Sequence, residues 1–186
     1  MAIKKIVANA PARKPLDAAS LCMKPHDLFS NQWMLLTAGD FVLKQYNTMT
    51  IAWGSIGTIW NKPFVQVVVR PQRHTRKFMD EFGTFTLSVF RPAHRSALQL
   101  LGSKSGRDGD KIAESGLTAM ASSAVSAPCF AEAELVIECR KAYWQDMEPK
   151  NFATPAIAAN YPDHNYHRIY FGEIVAISAT DAYRAK

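Results

Sequence analysis

The feature that most constrains the fold is a series of strand-sized apolar segments that recurs between residues 33 and 179. The sequence predicts strands over 33–38, 47–54, 64–69, 84–90, 130–144 and 167–179. Helical patterns are confined to 75–82, 92–101 and 110–115. These helices are too few to cover a parallel sheet on both faces. A closed antiparallel β-barrel with short helical insertions is therefore the economical fold, because closure removes exposed sheet edges.

The first residues differ from the rest, because prolines at positions 11, 15 and 25 interrupt any regular pattern. We expect an N-terminal arm over 1–30, lying on the surface or on a partner subunit, and one domain over 31–186. No apolar run approaches the ~18 residues of a membrane helix, and the N-terminus lacks the apolar core of a signal peptide. Three widely spaced cysteines without a C-x-x-C pair predict reduced thiols in a cytoplasmic protein.

The basic residues are concentrated in two short loops rather than spread along one element. A net charge of +6 could attract nucleic acid, a membrane surface or a small anion. A nucleic-acid binder usually distributes its cations along one face. The clustering at 70–77 and 104–111 instead favours local binding of a small anion, with no nucleic-acid or membrane partner.

The first loop reads VRPQRHTRK, residues 69–77. Pro71 ends a strand and Thr75 begins a helix, whose free N–H groups and dipole favour an anion. Arginine adds a planar fork that matches phosphate oxygens, and four cationic side chains surround this helix start: Arg70, Arg73, Arg76 and Lys77. The alternative is a solvated basic turn.

The second loop, GSKSGRDGDK at 102–111, has neither Walker A nor G-x-G-x-x-G spacing. Its glycines and serines can align backbone N–H groups into an anion nest, with Lys111 opening a helix beside it. In isolation a flexible surface loop is the alternative. Together, the two loops predict a phosphate-bearing ligand.

The stretch YNTMTIAWGSIGTIW, residues 46–60, begins as a strand and then places Gly54, Ser55 and Gly57 between two tryptophans. A flat heteroaromatic ring needs close backbone approach, which small residues permit. A ring and a phosphate bound by one domain indicate a mononucleotide-like cofactor.

These motifs together resemble the flavin reductase-like proteins with an FMN-binding split barrel, and in particular the flavoredoxin-like branch. The similarity rests on NTMTIAWGSIGTIWNKP, VRPQRHT, FTLSV, LGSKSGRDGDK, ECRKAYWQDM and HRIYFGEIV, in that order from Trp33 to Ile177. The resemblance implies a mainly β, six-stranded antiparallel Greek-key split barrel. It also implies a homodimer with FMN near the subunit interface. His74 departs from the pattern, since tyrosine is expected there.

The resemblance also implies roles for individual residues. The polar edge of the isoalloxazine ring would be held, largely by backbone groups, at Asn47, Thr48, Met49 and Thr50. The ring and the ribityl chain would be lined by Trp53 and Ser55. The phosphate or ribityl end would be bound by Arg70, Arg73 and Thr75. The anion site would be completed by Ser105 and Lys111. The catalytic candidate is His167, near the reactive face.

The expected function is an FMN-dependent oxidoreductase that passes hydride or electrons from NAD(P)H to a small-molecule or protein acceptor. The alternative is a flavoredoxin-like electron carrier without NAD(P)H activity of its own. The H-x-x-H pair of His164 and His167 lacks further ligands for a metal, and we predict none. Cys22 lacks the local signature of a hydrolase nucleophile. The sequence does not distinguish NADH from NADPH or a bound prosthetic FMN from an exchanging one.

Overall fold

A computed structural model describes residues 10–185, so the first nine residues of the expected arm lie outside the described part. Within it the chain forms the following strands: β1 (Lys14–Pro15), β2 (Met34–Asp40), β3 (Gln45–Ile51), β4 (Gly54–Ile59), β5 (Lys62–Val69), β6 (Thr84–Val89), β7 (Ala119–Met120), β8 (Cys129–Phe130), β9 (Leu135–Asp146) and β10 (Arg168–Ala179). The α-helices are α1 (Pro25–Asp27), α2 (Thr75–Glu81), α3 (Arg95–Ser103) and α4 (Lys111–Ser115). A π-helical turn spans Leu28–Gln32, and 3₁₀ turns span Ala18–Ser20, Pro92–His94, Pro149–Asn151, Pro155–Asn160 and Asp181–Tyr183.

One antiparallel sheet dominates the fold, with the strand order β3-β2-β6-β9-β10-β5-β4. Strand β1 adds to β10, and β7 and β8 form a separate pair. The two outermost strands of the main sheet, β3 and β4, are joined only by Ala52 and Trp53. That link reaches about 11 Å at most, whereas seven flat strands would be roughly 29 Å across. The sheet must therefore curl until its edges meet, which confirms the predicted barrel.

The strand count depends on how the β3–β4 unit is described. If β3 and β4 are one bent strand, the barrel has the expected six strands, with β2, β6, β9, β10 and β5 as the others. The bend falls at Ala52-Trp53, and the sequence prediction of one strand over 47–54 therefore stopped short of β4.

Two apolar clusters stabilise the barrel. The interior is filled by side chains such as Leu36, Val67, Phe85 and Tyr170, all essentially inaccessible to solvent. A second cluster lies outside the sheet, where α3 and the 117–133 segment cover it with Leu98, Leu101 and Phe130. Large buried side chains of this kind each stabilise the fold by about 1.5–3 kcal/mol.

Polar and apolar residues alternate from Glu132 to Arg140, which predicts from the sequence alone that one face of β9 contacts water. That prediction is wrong. Val136 packs in the outer cluster, and Glu138 on the same strand is buried. The Glu138 carboxylate accepts hydrogen bonds from Ser123 N at 2.9 Å, Ser123 Oγ at 2.7 Å and Ala124 N at 2.6 Å. A buried carboxylate is tolerated when it is hydrogen-bonded in this way. The 117–133 segment thus covers a face that alternation assigned to water.

The described part of the arm lies on its own barrel. Lys14 and Pro15 pair with Ala179 and Ser178 of β10, and Leu16 N donates to Ile177 O at 2.9 Å. Apolar arm side chains farther along pack against the barrel interior cluster: Leu21 and Met23. No helix within residues 10–185 is long and apolar enough to cross a bilayer.

Candidate functional site

A cationic cleft of about 510 Å³ opens where β5 ends, α2 begins and the 102–111 loop passes. It brings together all five residues that the resemblance assigned to the phosphate and the anion site: Arg70, Arg73, Thr75, Ser105 and Lys111. Asn47 and Met49, which were expected at the polar edge of the ring, line it as well. A second hollow of about 200 Å³ shares Met49, Arg70 and Arg73 with it and adds Thr50, Trp53 and His167. We call these the anion end and the ring end of one continuous cleft.

Arg70 and Arg73 stand where the two ends meet. Arg73 donates from one terminal nitrogen to Gly102 O at 2.6 Å, which joins the two predicted anion loops. Arg70 donates to Asn165 Oδ1 at 2.5 Å and to Asn160 O at 2.9 Å. Each guanidinium has more N–H donors than these contacts use, so both retain donors for a ligand.

Four cations of the anion end are crowded and form no salt bridge within residues 10–185: Arg70, Arg73, Arg107 and Lys111. Lys104, which also lines this end, pairs with Glu114. The other two cations of the first loop also pair with acidic side chains, Arg76 with Asp80 and Lys77 with Glu81. Burial and the nearby Arg70 lower the pKa of Arg73. Burial and the cations Arg107, Lys77 and Lys111 lower the pKa of His74. Such mutual repulsion is relieved by a bound anion.

Lys111 is buried, and its ammonium group serves the loop rather than the open cleft. Its Nζ donates to Leu101 O at 2.9 Å and to Lys104 O at 3.0 Å. Burial, followed by the charge of Arg73, lowers its pKa to about 8. Ser105 Oγ accepts from Arg107 N at 3.2 Å and shapes the same loop. Lys111 therefore fixes the conformation of the 102–111 loop beside the anion end.

Asn47 and Thr75 form the floor of the anion end. Asn47 Nδ2 donates to Thr75 Oγ1 at 2.8 Å. Thr75 is the first residue of α2, as predicted, and His74 occupies the cap position. Gly106 lies directly against this floor. A Cβ at that position would collide with Asn47 Oδ1 and lie 3.1 Å from His74 Cδ2. The loop can approach β3 this closely only because residue 106 is glycine.

The residues expected at the polar edge of a ring lie on β3, which is an outer strand of the sheet order. An outer strand leaves backbone N–H and C=O groups unpaired on one side. Thr48 is fully buried and its hydroxyl donates to Leu36 O at 3.1 Å, so only its backbone is available. Thr50 Oγ1 donates to Leu98 O at 2.5 Å and faces the ring end.

Trp53 and His167 define the ring end. Their ring centroids are 5.4 Å apart, and Trp53 is about half exposed. His167 Nδ1 and the Tyr161 hydroxyl are hydrogen-bonded at 2.9 Å. Burial, followed by the charges of Arg70 and Arg73, lowers the pKa of His167 to about 4. His167 is therefore neutral near pH 7.

Ser55 and the glycine beside it lie outside this cleft. Ser55 Oγ donates to Gln66 Oε1 at 3.2 Å on β5. A Cβ on Gly54 would come within 2.5 Å of both Gln66 O and Phe29 Cε1. The glycine at this position is thus required by packing inside the barrel. The sequence predicts that this glycine gives a ring access to the backbone, but its close packing against Gln66 and Phe29 is sufficient to explain it.

Sequence reasoning missed the segment between β9 and β10, residues 147–166. It leaves and rejoins the sheet at one point, where Met147 N donates to His167 O at 2.9 Å. It supplies Asp163 and Asn165 to the anion end, and its Tyr161 is hydrogen-bonded to His167, which lines the ring end. A signal was present in the aromatic residues that precede His167 in NYPDHNYH.

The alternative sites find little support. His164 bonds to Tyr166 through Nδ1 at 3.0 Å, while His167 bonds to Tyr161, so the H-x-x-H pair does not converge. Among the described residues, no three His, Cys, Asp or Glu side chains could share a metal ion. Another hollow, of about 810 Å³, shares the lining residues Asn47, Gly106 and Lys111 with the anion end. Neither Arg70 nor Arg73 lines it.

The chain is similar to known proteins both in sequence and in fold. The model of the family described as "Flavin reductase like domain" matches residues 27–185. No curated protein sequence matches the chain.

Several solved structures share the fold. An FMN-binding domain of a flavin reductases-like enzyme from Shewanella baltica OS155 is 20% identical, with a TM-score of 0.65 over 91% of this chain and 78% of that one. The flavoredoxin of Desulfovibrio vulgaris (Miyazaki F) is 23% identical, with a TM-score of 0.63 over 92% and 78%. An NADH:FAD oxidoreductase of Streptomyces globisporus C-1027, in complex with NAD and FAD fragments, is 16% identical, with a TM-score of 0.61 over 82% and 77%.

Proposed function

Because the chain belongs to the flavin reductase like domain family, we propose that it is an FMN-binding oxidoreductase that passes hydride from NAD(P)H through FMN to an acceptor. The observation that carries this proposal is the continuity of the cleft. Crowded cations without acidic partners line one end, and Trp53 and His167 line the other. A phosphate joined to a flat ring is the ligand that matches both ends.

The residues of the anion end fit the phosphate of FMN. Arg70 and Arg73 have free guanidinium donors, and charge-assisted hydrogen bonds of this type are among the strongest in proteins. The 102–111 loop, fixed by Lys111, lies close to the floor at Gly106. The sequence has two short anion loops and no third loop for an adenylate, and we therefore propose FMN rather than FAD as the bound flavin.

The residues of the ring end fit the isoalloxazine. Backbone groups of β3 from Asn47 to Thr50 would bind its polar edge, because β3 is an outer strand. Trp53 would cover the ring, and His167 would orient the molecule that exchanges hydride with it. When bound, FMN supplies the redox chemistry, while the protein supplies orientation and exclusion of water. Ser55 does not line either end of the cleft, and its hydroxyl is engaged by Gln66, so we assign it no contact with the ring.

We also propose that two copies of the chain form a homodimer. An aromatic patch consisting of Trp60, Phe64, Tyr143 and Phe171 lies on the barrel surface, with Trp60 more than half exposed. Burial of such a patch between two copies is favourable. We place the protein in the cytoplasm, a reducing compartment that suits its three unpaired cysteines.

The function is tested with the purified full-length protein. We expect a flavin absorbance spectrum, and chromatography of the flavin released on denaturation should identify FMN. Under anaerobic conditions NADH or NADPH should bleach the bound flavin. Bleaching by a separate electron-transfer protein but by neither nicotinamide would identify the carrier alternative. A protein that binds no flavin, even after incubation with FMN, would contradict the proposal.

A further inference from the structure

Tyr161 is the only described residue that hydrogen-bonds the imidazole of His167, and the pair lies at the ring end of the cleft. The Tyr161 oxygen is 2.9 Å from His167 Nδ1, and both side chains are buried. Within residues 10–185, His167 Nε2 has no hydrogen-bond partner, and the ring borders the hollow beside Trp53. One imidazole nitrogen is therefore committed to Tyr161, while the other is left to a ligand.

Tyr161 is itself held firmly. Phe152 stacks on its ring at 5.8 Å between centroids, with an interplanar angle of 11°. The Arg70 guanidinium lies over the same ring at 5.1 Å from its centroid. Arg70 also bonds Asn160 O and Asn165 Oδ1, on either side of Tyr161 in the chain. The hydroxyl is thus fixed relative to His167 through its own segment.

The direction of the hydrogen bond follows from the available acceptors. The Tyr161 hydroxyl has one proton and two candidate acceptors, His167 Nδ1 at 2.9 Å and Met147 Sδ at 3.2 Å. A thioether sulfur is a weak acceptor and an imidazole nitrogen a strong one. We therefore assign the hydroxyl proton to the bond with Nδ1. In a neutral imidazole, a hydrogen-bonded Nδ1 acceptor requires the ring proton to be on Nε2. The reverse arrangement would place the ring proton on Nδ1 and leave the hydroxyl proton to the weak sulfur acceptor, and nitrogen NMR distinguishes the two arrangements.

We propose that Tyr161 is a positioning residue that fixes His167 as a neutral Nε2–H donor, which binds a carbonyl oxygen of the molecule exchanging hydride with FMN. The carbonyl class follows from the surroundings: Met49, Ile51 and Val68 give the ring end an apolar wall, while Arg70 and Arg73, where the two ends meet, are available to anionic groups. A single neutral donor in such surroundings suits a neutral acceptor. This inference rests on the proposed function for its ligand, but not for the state of His167.

The state of His167 is measured by nitrogen NMR of the full-length, ¹⁵N-labelled protein. We expect Nε2 protonated and Nδ1 unprotonated and hydrogen-bonded. Tyr161→Phe keeps the stacked ring and removes the proton, so the Nδ1 signal should move. The pKa of His167 should also rise, because a bond to its neutral form is lost. Tyr166→Phe is the matched control, since the Tyr166 hydroxyl bonds the exposed His164. A proton on Nδ1, or unchanged signals in Tyr161→Phe, would overturn the proposal.

The carbonyl ligand is tested by two anaerobic half-reactions on the FMN-loaded protein. The rate of reduction by NADH tests whether His167 binds the carboxamide oxygen of the reductant. The rate of reoxidation by a quinone tests whether it binds the carbonyl oxygen of the acceptor. Tyr161→Phe should slow at least one of them about tenfold, the value of one neutral hydrogen bond, with FMN affinity unchanged. Unchanged rates in both would overturn the ligand assignment. Absence of flavin binding would refute the proposed function but leave the NMR result valid.

Discussion

The Arg70 guanidinium donates to Asn165 Oδ1 over 2.5 Å and thereby ties the end of β5 to the 147–166 segment. The same guanidinium borders both ends of the cleft. Arg70 therefore has two separable functions, namely binding an anion and holding a segment. A variant that removes the side chain loses both, so its interpretation needs a partner variant that loses only one.

Arg70→Ala should weaken FMN binding by about 10- to 150-fold, the equivalent of roughly 1.5–3 kcal/mol for a charge-assisted hydrogen bond. Riboflavin lacks the phosphate, so its affinity should fall much less. Titration of both flavins into wild type and variant measures the difference.

Asn165→Ala is the partner variant, because it removes one of the two hydrogen bonds from Arg70 to the segment, keeps the bond to Asn160 O and leaves the guanidinium in place. It should change the affinities for FMN and riboflavin by similar, small factors. Equal losses of both flavins in Arg70→Ala would show that Arg70 is structural and does not bind the phosphate.

Gly106→Ala should displace the 102–111 loop from the floor of the anion end. The added Cβ would collide with Asn47 Oδ1, and overpacking of this kind costs about 1–3 kcal/mol. We expect lower FMN affinity together with a lower melting temperature. Gly83→Ala is the control, because a Cβ there meets nothing within 4 Å. Wild-type affinity in Gly106→Ala would place the ligand away from this loop.

Lys111→Met should destabilise the protein, because it leaves the carbonyls of Leu101 and Lys104 without their donor. Each buried acceptor left unpaired costs about 1–3 kcal/mol, which denaturant unfolding would detect. Lys77→Met is the comparison, since Lys77 is exposed and 3.9 Å from Glu81. Surface pairs contribute ~1 kcal/mol or less. Similar stability of the two variants would show that Lys111 is dispensable to the loop.

The stability of the protein should depend on pH through His167. Its pKa falls from 6.5 to about 4 on folding, owing to burial and to Arg70 and Arg73. Between these values the unfolded chain binds a proton that the native state does not, so the free energy of unfolding decreases as the solution is acidified. Urea unfolding at pH 4, 5, 6 and 7 should show a shallower dependence in His167→Gln. Parallel pH curves would mean that His167 is protonated as easily in the folded state.

The proposed homodimer should have about twice the 20.7 kDa mass of the monomer by light scattering. Trp60→Gly tests the aromatic patch. Trp60 and Asn61 have φ angles of 50° and 57°, and glycine adopts this left-handed turn without strain, so β4 and β5 stay joined. The variant should shift toward monomer, whereas Val42→Ser, at an exposed turn, should not. A dimeric Trp60→Gly protein would place the interface elsewhere.

The sequence predicted those elements whose periodicity is set by one buried face. FVQVVV became β5 and TRKFMDE became α2, because their apolar spacing matches their burial. β4 was missed because Gly54 and Gly57 break the alternation for reasons of packing across the barrel. The prediction of a solvent-exposed face on β9 was wrong because the 117–133 segment covers Glu138 and donates hydrogen bonds to it. That segment has no periodicity that the sequence could reveal. Alternation of polar and apolar residues does not show whether the polar face of a strand contacts water or is covered by another polar segment.

The candidate site was predictable in part. Ten of its sequence-assigned residues line the two ends of the cleft, because they lie at strand ends and loops that the barrel order brings together. Thr48 and Ser55 do not line it, since their side chains bond within the sheet. Tyr161 was not predicted, because a short-range aromatic pair within an irregular segment has no period to detect.

The hydrogen bond between Met147 N and His167 O closes the base of the 148–166 excursion, between two strands that are already neighbours. Its length can therefore change without shifting the register of β9 or β10, since closing a longer loop at a fixed base costs only about 0.6 kcal/mol per doubling. The excursion can thus change in length around the residues that contact the barrel, namely Asn160 and Asn165 at Arg70 and Tyr161 at His167. Under the proposed function, grafting a different excursion that keeps these three residues would be a direct route to changing which molecules exchange hydride with FMN.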